Sequence, residues 1–153
     1  MAGAWRCGGY VGKLLLGEGW ASNGHWLING ECFTRPARAT KWIQTQGLAP
    51  AVLSNLQEFA CMSRYHCTLT GERISEDRPV PHSSKKIERV CYASFASKEA
   101  PAGVLTWGQA HYIDWLSALG GSWFMGTDHT TPLVLKRDGE TLAILMPVAR
   151  PRL

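Results

Sequence analysis

Leu133-Val-Leu-Lys-Arg-Asp138-Gly139-Glu-Thr-Leu-Ala-Ile-Leu-Met146 is the stretch whose reading decides the fold. Two strand-like runs, Leu133 to Lys136 and Thr141 to Met146, flank Asp138-Gly139. That dipeptide suits a two-residue hairpin turn, whose central residues take positive φ. Pro147 cannot donate to a ladder and ends the second strand. Upstream, Tyr112, Trp115, Leu116 and Leu119 form an apolar stripe at helical spacing. Thr106-x-x-Gln109 has the form of a capping box, so the helix is expected to begin near Thr106. Gly120 stands where a left-handed C-cap is needed. Trp115 and Leu116 are expected in the core.

Working further back, Ile87 to Ala96 reads as a strand with β-branched and aromatic residues on both faces. Ser75 to Lys86 is polar and holds Pro79 and Pro81, so residues 75–86 are expected to form a mobile loop. Tyr65, Cys67 and Leu69 alternate with His66, Thr68 and Thr70, as on a half-buried strand. Val52, Leu53, Leu56, Phe59 and Ala60 mark one face of a helix from Pro50. Thr34 can cap an earlier helical segment with Pro36 in its first turn, carrying Ala39, Trp42 and Ile43 and stopped by Gly47. At the start, Asn23-Gly24 marks a tight turn before a short strand from His25 to Ile28, closed by Asn29-Gly30. The order implies one α+β domain over residues 1–153. Its expected architecture is a mostly antiparallel sheet with two or three helices packed on one face.

The totals agree with a single globular domain. The chain has 153 residues, 45% hydrophobic and 18% charged, with a mean hydropathy of −0.13, which excludes wholesale disorder. No apolar run is long enough to span a bilayer, the longest near the start being Leu14 to Leu16. Seven tryptophans (Trp5, Trp20, Trp26, Trp42, Trp107, Trp115 and Trp123) are many for this length. Most are expected half-buried in the core, with one or two free for a partner surface or a base. Five cysteines, an odd number, with no signal peptide ahead of them, suit free thiols in a cytoplasmic protein.

The catalytic signatures are weak. Gly8-Gly9-Tyr10-Val11-Gly12-Lys13 lacks both the earlier glycine and the following Ser or Thr of a phosphate loop. Cys61, His66 and Cys67 do not have zinc-clip spacing, and His66 and Cys67 fall on opposite faces of a strand. Asp128-His129 reads as a polar turn before Pro132 rather than half of a thiol-hydrolase pair. Glu58, Asp77 and Asp114 form no paired-carboxylate motif. No catalytic residue, metal or cofactor is expected, and the protein is read as a non-enzyme.

The charge is +4 and the isoelectric point about 8.9, mildly favouring anionic partners. The cations come in sets: Arg35, Arg38 and Lys41; Lys85, Lys86 and Arg89; Lys136 and Arg137; Arg150 and Arg152. Arg35, Arg38 and Lys41 are spaced to share a helix face, which makes them the first candidates for phosphate contacts. Lys85, Lys86, Arg89, Arg150 and Arg152 complete the candidate partner-binding residues.

The segment from Val104 to Val148 carries a cap, the helix Tyr112 to Leu119, a short strand Trp123 to Met125, the strand Thr131 to Leu135 and a closing strand Leu142 to Pro147. With Met146-Pro147 and the basic tail Arg150-Pro-Arg-Leu153, it resembles the last part of a bacterial sliding-clamp (DNA polymerase III β) domain. Small phage and conjugative-element proteins carry similar endings. The resemblance implies a clamp-like second half and a non-enzymatic binding module of a phage or mobile element. Its partner would be DNA or a replication or recombination complex. The alternative is a small inhibitor or adaptor that binds a host protein, such as a defence nuclease. No membrane partner is expected, and self-association is compatible with the sequence.

Overall fold

A computed structural model describes residues 14–17, 19–29, 45–47, 50–79 and 85–148. Its elements are β1 (Leu14–Gly17), β2 (Trp20–Ser22), β3 (Trp26–Asn29), β4 (Thr45–Gly47), α1 (Pro50–Ala60), β5 (Tyr65–Pro79), β6 (Ile87–Ala96), β7 (Thr106–Gln109), α2 (Ala110–Ser117), β8 (Ser122–Met125), β9 (Leu133–Arg137) and β10 (Glu140–Leu145). The strands form one sheet in the order β4-β1-β2-β3-β10-β9-β8-β5-β6-β7. Every described pairing of strands is antiparallel except β1 with β4. The α+β class and the antiparallel sheet are therefore as the sequence implies. No described helix is long and apolar enough to cross a membrane.

Local chemistry explains the turns. Asp138 and Gly139 both have positive φ, +52° and +79°, as the β9–β10 hairpin requires. Between β2 and β3, the Asn23 Oδ1 accepts from the backbone N–H groups of His25 and Trp26, which holds the Asn23-Gly24 turn closed. Gly120, at φ +82°, follows the last turn of α2.

The helices lie on opposite faces of the sheet, not on one. Leu27, Val134 and Ile144 pack with Leu53 and Ala60 of α1. Their strand neighbours Trp26, Ile28, Leu133, Leu135 and Leu145 pack with Ile113 and Leu116 of α2. Successive residues of a strand face opposite ways, so β3, β9 and β10 are covered on both sides. This is why their sequences are apolar without alternation. At the far end of the sheet the backbone N–H of Val148, just past β10, donates to the Trp107 carbonyl of β7 at 2.8 Å. The strands from β10 round to β7 therefore curl back towards their own start.

Three local expectations are corrected. Ser75 to Pro79 is not loop but the end of β5, paired residue by residue with Ile87 to Cys91. Two cross-strand ion pairs hold this polar arm, Arg78 with Glu88 at 3.0 Å and Arg89 with Asp77 at 3.1 Å. Thr106 is not a helix cap. It lies on β7, which pairs with β6 from Tyr92 to Phe95, and α2 starts after Gln109 without a side-chain cap. The early helical segment cannot run to Gly47, because Thr45–Gly47 is extended against β1; the rest of it lies outside the described residues.

Burial refines the core. Leu116 is fully buried, while Trp115 is half-buried and meets Trp26 edge-on at 5.0 Å. Trp26, Trp107 and Trp123 are buried and Trp20 is half-buried; Trp5 and Trp42 lie outside the described residues. On α1, Leu53 and Ala60 are buried but Phe59 is exposed.

Candidate nucleic-acid interface

One row of directly paired residues crosses five strands on the α1 side of the sheet. It runs Leu27, Ile144, Val134, Phe124, His66. Helix α1 covers the first three. The row then emerges as Phe124, half-buried, and His66, exposed. The His66 ring meets the Phe124 ring edge-on, with centroids 5.6 Å apart and planes at 81°. Lys136, one row along and paired with Ser122, places its Nζ 4.9 Å from the centre of the same phenyl ring. That ammonium also donates to the Ser63 carbonyl at 3.5 Å. Ser63 is itself fixed, because its buried hydroxyl donates to the Pro132 carbonyl.

The result is a shelf on β8 and the start of β5, just past the end of α1, with two rings and a cation. Exposed Arg64, Thr68 and Ser122 border it in sequence and register. Neither Lys136 nor Arg64 is in an ion pair among the described residues. Aromatic rings on a sheet with adjacent cations are the chemistry that holds unpaired bases and the phosphates beside them.

The cations singled out in the sequence fare differently. Arg35, Arg38, Lys41, Arg150 and Arg152 lie outside the described residues. Lys85 and Lys86 are exposed beside the start of β6. Arg89 is spent on Asp77, and that pairing raises its pKa above the ordinary guanidinium value through the hydrogen bond and the charge. The arm thus interleaves both signs, Glu76, Asp77 and Glu88 among Arg78, Lys85, Lys86 and Arg89. It is not a free basic face. Lys136 and Arg137 also part: Arg137 turns to the Leu119 carbonyl at 2.8 Å, while Lys136 joins the shelf.

His66 and Phe124 were not singled out as a pair by sequence, since nothing in two separate segments announces that they are neighbours. The apolar pair Trp123-Phe124 is the one available signal, because a strand with large residues on both faces presents one of them away from the main core. Cys61 is exposed and Cys67 buried. Burial pushes the Cys67 thiol up to about 12, the opposite of an activated nucleophile. No group of three metal-ligating side chains occurs among the described residues.

No protein-family model, no curated protein and no solved structure matches this chain.

Proposed function

We propose that the chain is a non-enzymatic binding module that acts on nucleic acid, and that the shelf of His66, Phe124 and Lys136 is where an unpaired strand lies. The observation that carries this reading is the register row that brings Phe124 and His66 out from under α1 beside Lys136, which is in no ion pair among the described residues. Rings supply sequence-tolerant stacking, and the ammonium supplies a phosphate contact. The resemblance of the Val104 to Val148 sequence to the end of a sliding-clamp domain supports DNA, within a larger complex, as the nucleic acid.

The test is fluorescence anisotropy with a labelled single-stranded oligonucleotide at several salt concentrations. The wild type should bind more weakly as salt rises. Phe124→Ala should lose roughly 1–3 kcal/mol of affinity, and Lys136→Gln should lower the salt slope by about 0.7. Absence of binding at low salt overturns the reading.

A second reading, an adaptor or inhibitor of a host protein, draws on exposed apolar side chains. Ile87 is 74% exposed, and Phe59 and Met62 stand out at the end of α1. A nuclease-resistant complex with one host protein, lost in a Phe59→Ser, Met62→Ser variant, would place this reading first.

A further inference from the structure

A cleft of about 530 Å³ lies away from the shelf and shares no residue with it. Val104, Leu105 and Trp107 line one side, and Thr127, Asp128 and His129 the other. The apolar wall is firmly seated. Leu105 packs on the buried cluster of Ile74, Val90, Tyr92 and Trp107, and Val104 packs against the main core. The polar lip, Thr127 to Thr130, is exposed but braced at its ends. Gly126 sits so close to Thr131 that a Cβ there would stand 2.6 Å from the threonine methyl. Thr131 is buried, and its N–H donates to the Asp128 carbonyl at 3.0 Å.

The Asp128 carboxylate, 59% exposed at the rim of the cleft, is held by its turn. Its Oδ1 accepts the Thr130 N–H at 2.8 Å and the Thr130 hydroxyl at 2.9 Å. Those two bonds hold its pKa below the usual carboxylate value, so it is charged at neutral pH. The His129 Nδ1 lies 3.4 Å from the same oxygen. The cleft is thus a space of ligand size with a fixed anion at one side and an apolar wall at the other.

We propose that this cleft binds a small organic cation, an amine with an apolar body, whose ammonium meets Asp128 and whose body lies on Val104 and Leu105. A carboxylate ligand would be repelled by Asp128. A neutral ligand would gain the wall but not the charge-assisted hydrogen bond, which is about twice as strong as a neutral one. The proposal does not depend on nucleic-acid binding.

The test uses amide shift perturbation of the full-length protein with benzylamine, benzyl alcohol, phenylacetate and N-acetyl-lysine methylamide as probes. Benzylamine should give saturable shifts at Val104, Leu105, Asp128 and His129. Benzyl alcohol and phenylacetate should bind at least about tenfold more weakly, a difference near 1.4 kcal/mol. Asp128→Asn keeps the oxygen that accepts from Thr130, so the lip should survive, as an unshifted Thr131 amide would report. In that variant benzylamine should fall to the level of benzyl alcohol. Should the variant's lip collapse, the wild-type contrast between amine and alcohol decides alone. Shifts centred elsewhere, no saturation, or equal binding of amine and alcohol overturns the proposal. Equal binding of the lysine derivative, which lacks the aromatic body, overturns the role given to the apolar wall.

Discussion

The Thr106 hydroxyl is fully buried on β7 and has no hydrogen-bond partner among the described residues. A buried hydroxyl without a partner costs stability, and valine has nearly the same shape. Thr106→Val is therefore expected to leave stability unchanged or raise it by up to about 1–3 kcal/mol. A helix cap in the same place would instead lose about 1 kcal/mol on replacement, so urea unfolding of this one variant separates strand from cap. Two other buried groups set a pH dependence. Burial pushes the Cys67 thiol from 9.0 up to about 12. Burial and the hydrogen bond to Glu76 push the Tyr92 phenol from 10.0 up to about 12. Between those limits the unfolded chain has lost protons that the folded chain keeps. Stability should be fully present below pH 9 and fall as pH rises towards 12. Urea midpoints across this range check it, and Cys67→Ala should show a shallower decline. A decline as steep as that of the wild type counts against the assignment to Cys67.

At the level of elements, Gly121 before β8 and Gly139 before β10, both at positive φ, differ in a measurable way. Gly139, in the β9–β10 turn, has open space where a Cβ would go. Gly139→Ala should cost only the backbone strain, about 1–2 kcal/mol. Gly121 has φ +101°, and a Cβ there would stand 2.5 Å from the Lys136 carbonyl oxygen of β9. Gly121→Ala must strain the backbone and also push β8 from β9, so it should cost more than Gly139→Ala in thermal unfolding; equal or smaller loss would show that the strands give way freely. What was legible follows from how local each signal is. The β9–β10 hairpin was readable because its turn chemistry and apolar runs sit within one short stretch. Thr106–Gln109 departs from its capping pattern because four residues of that form also suit an edge strand, and pairing with Tyr92 to Phe95 decides the matter from a distance. Ser75–Pro79 reads as loop in the sequence because its cohesion lies in cross-strand partners, Glu88 and Arg89, beyond the polar run itself.

For the whole molecule, the two-sided cover of the sheet is written in the sequence as unbroken apolar runs, Trp26-Leu27-Ile28 and Leu142-Ala-Ile-Leu145, whereas the order of elements alone implies helices on one face. Leu53 and Leu116 anchor the covers on opposite faces. Leu53→Val and Leu116→Val should each cost about 1 kcal/mol, and a double-mutant cycle should give a coupling below about 0.5 kcal/mol. A larger coupling would mean the two covers share one packing unit. The shelf was only partly readable: Lys136 stood out as a cation, while the meeting of His66 and Phe124 is a product of register across β5 and β8. The strand order carries one more consequence. In the described sheet, β10 is the join between β4-β1-β2-β3 and β9-β8-β5-β6-β7. While the protein is being made, the early strands must wait for Glu140–Leu145 to leave the ribosome before β3 gains its second neighbour. Until then β3 offers an apolar, unpaired edge to any other nascent chain. The slower β10 is to dock, the longer that edge stays open to pairing with another chain, so aggregation during refolding should rise with protein concentration.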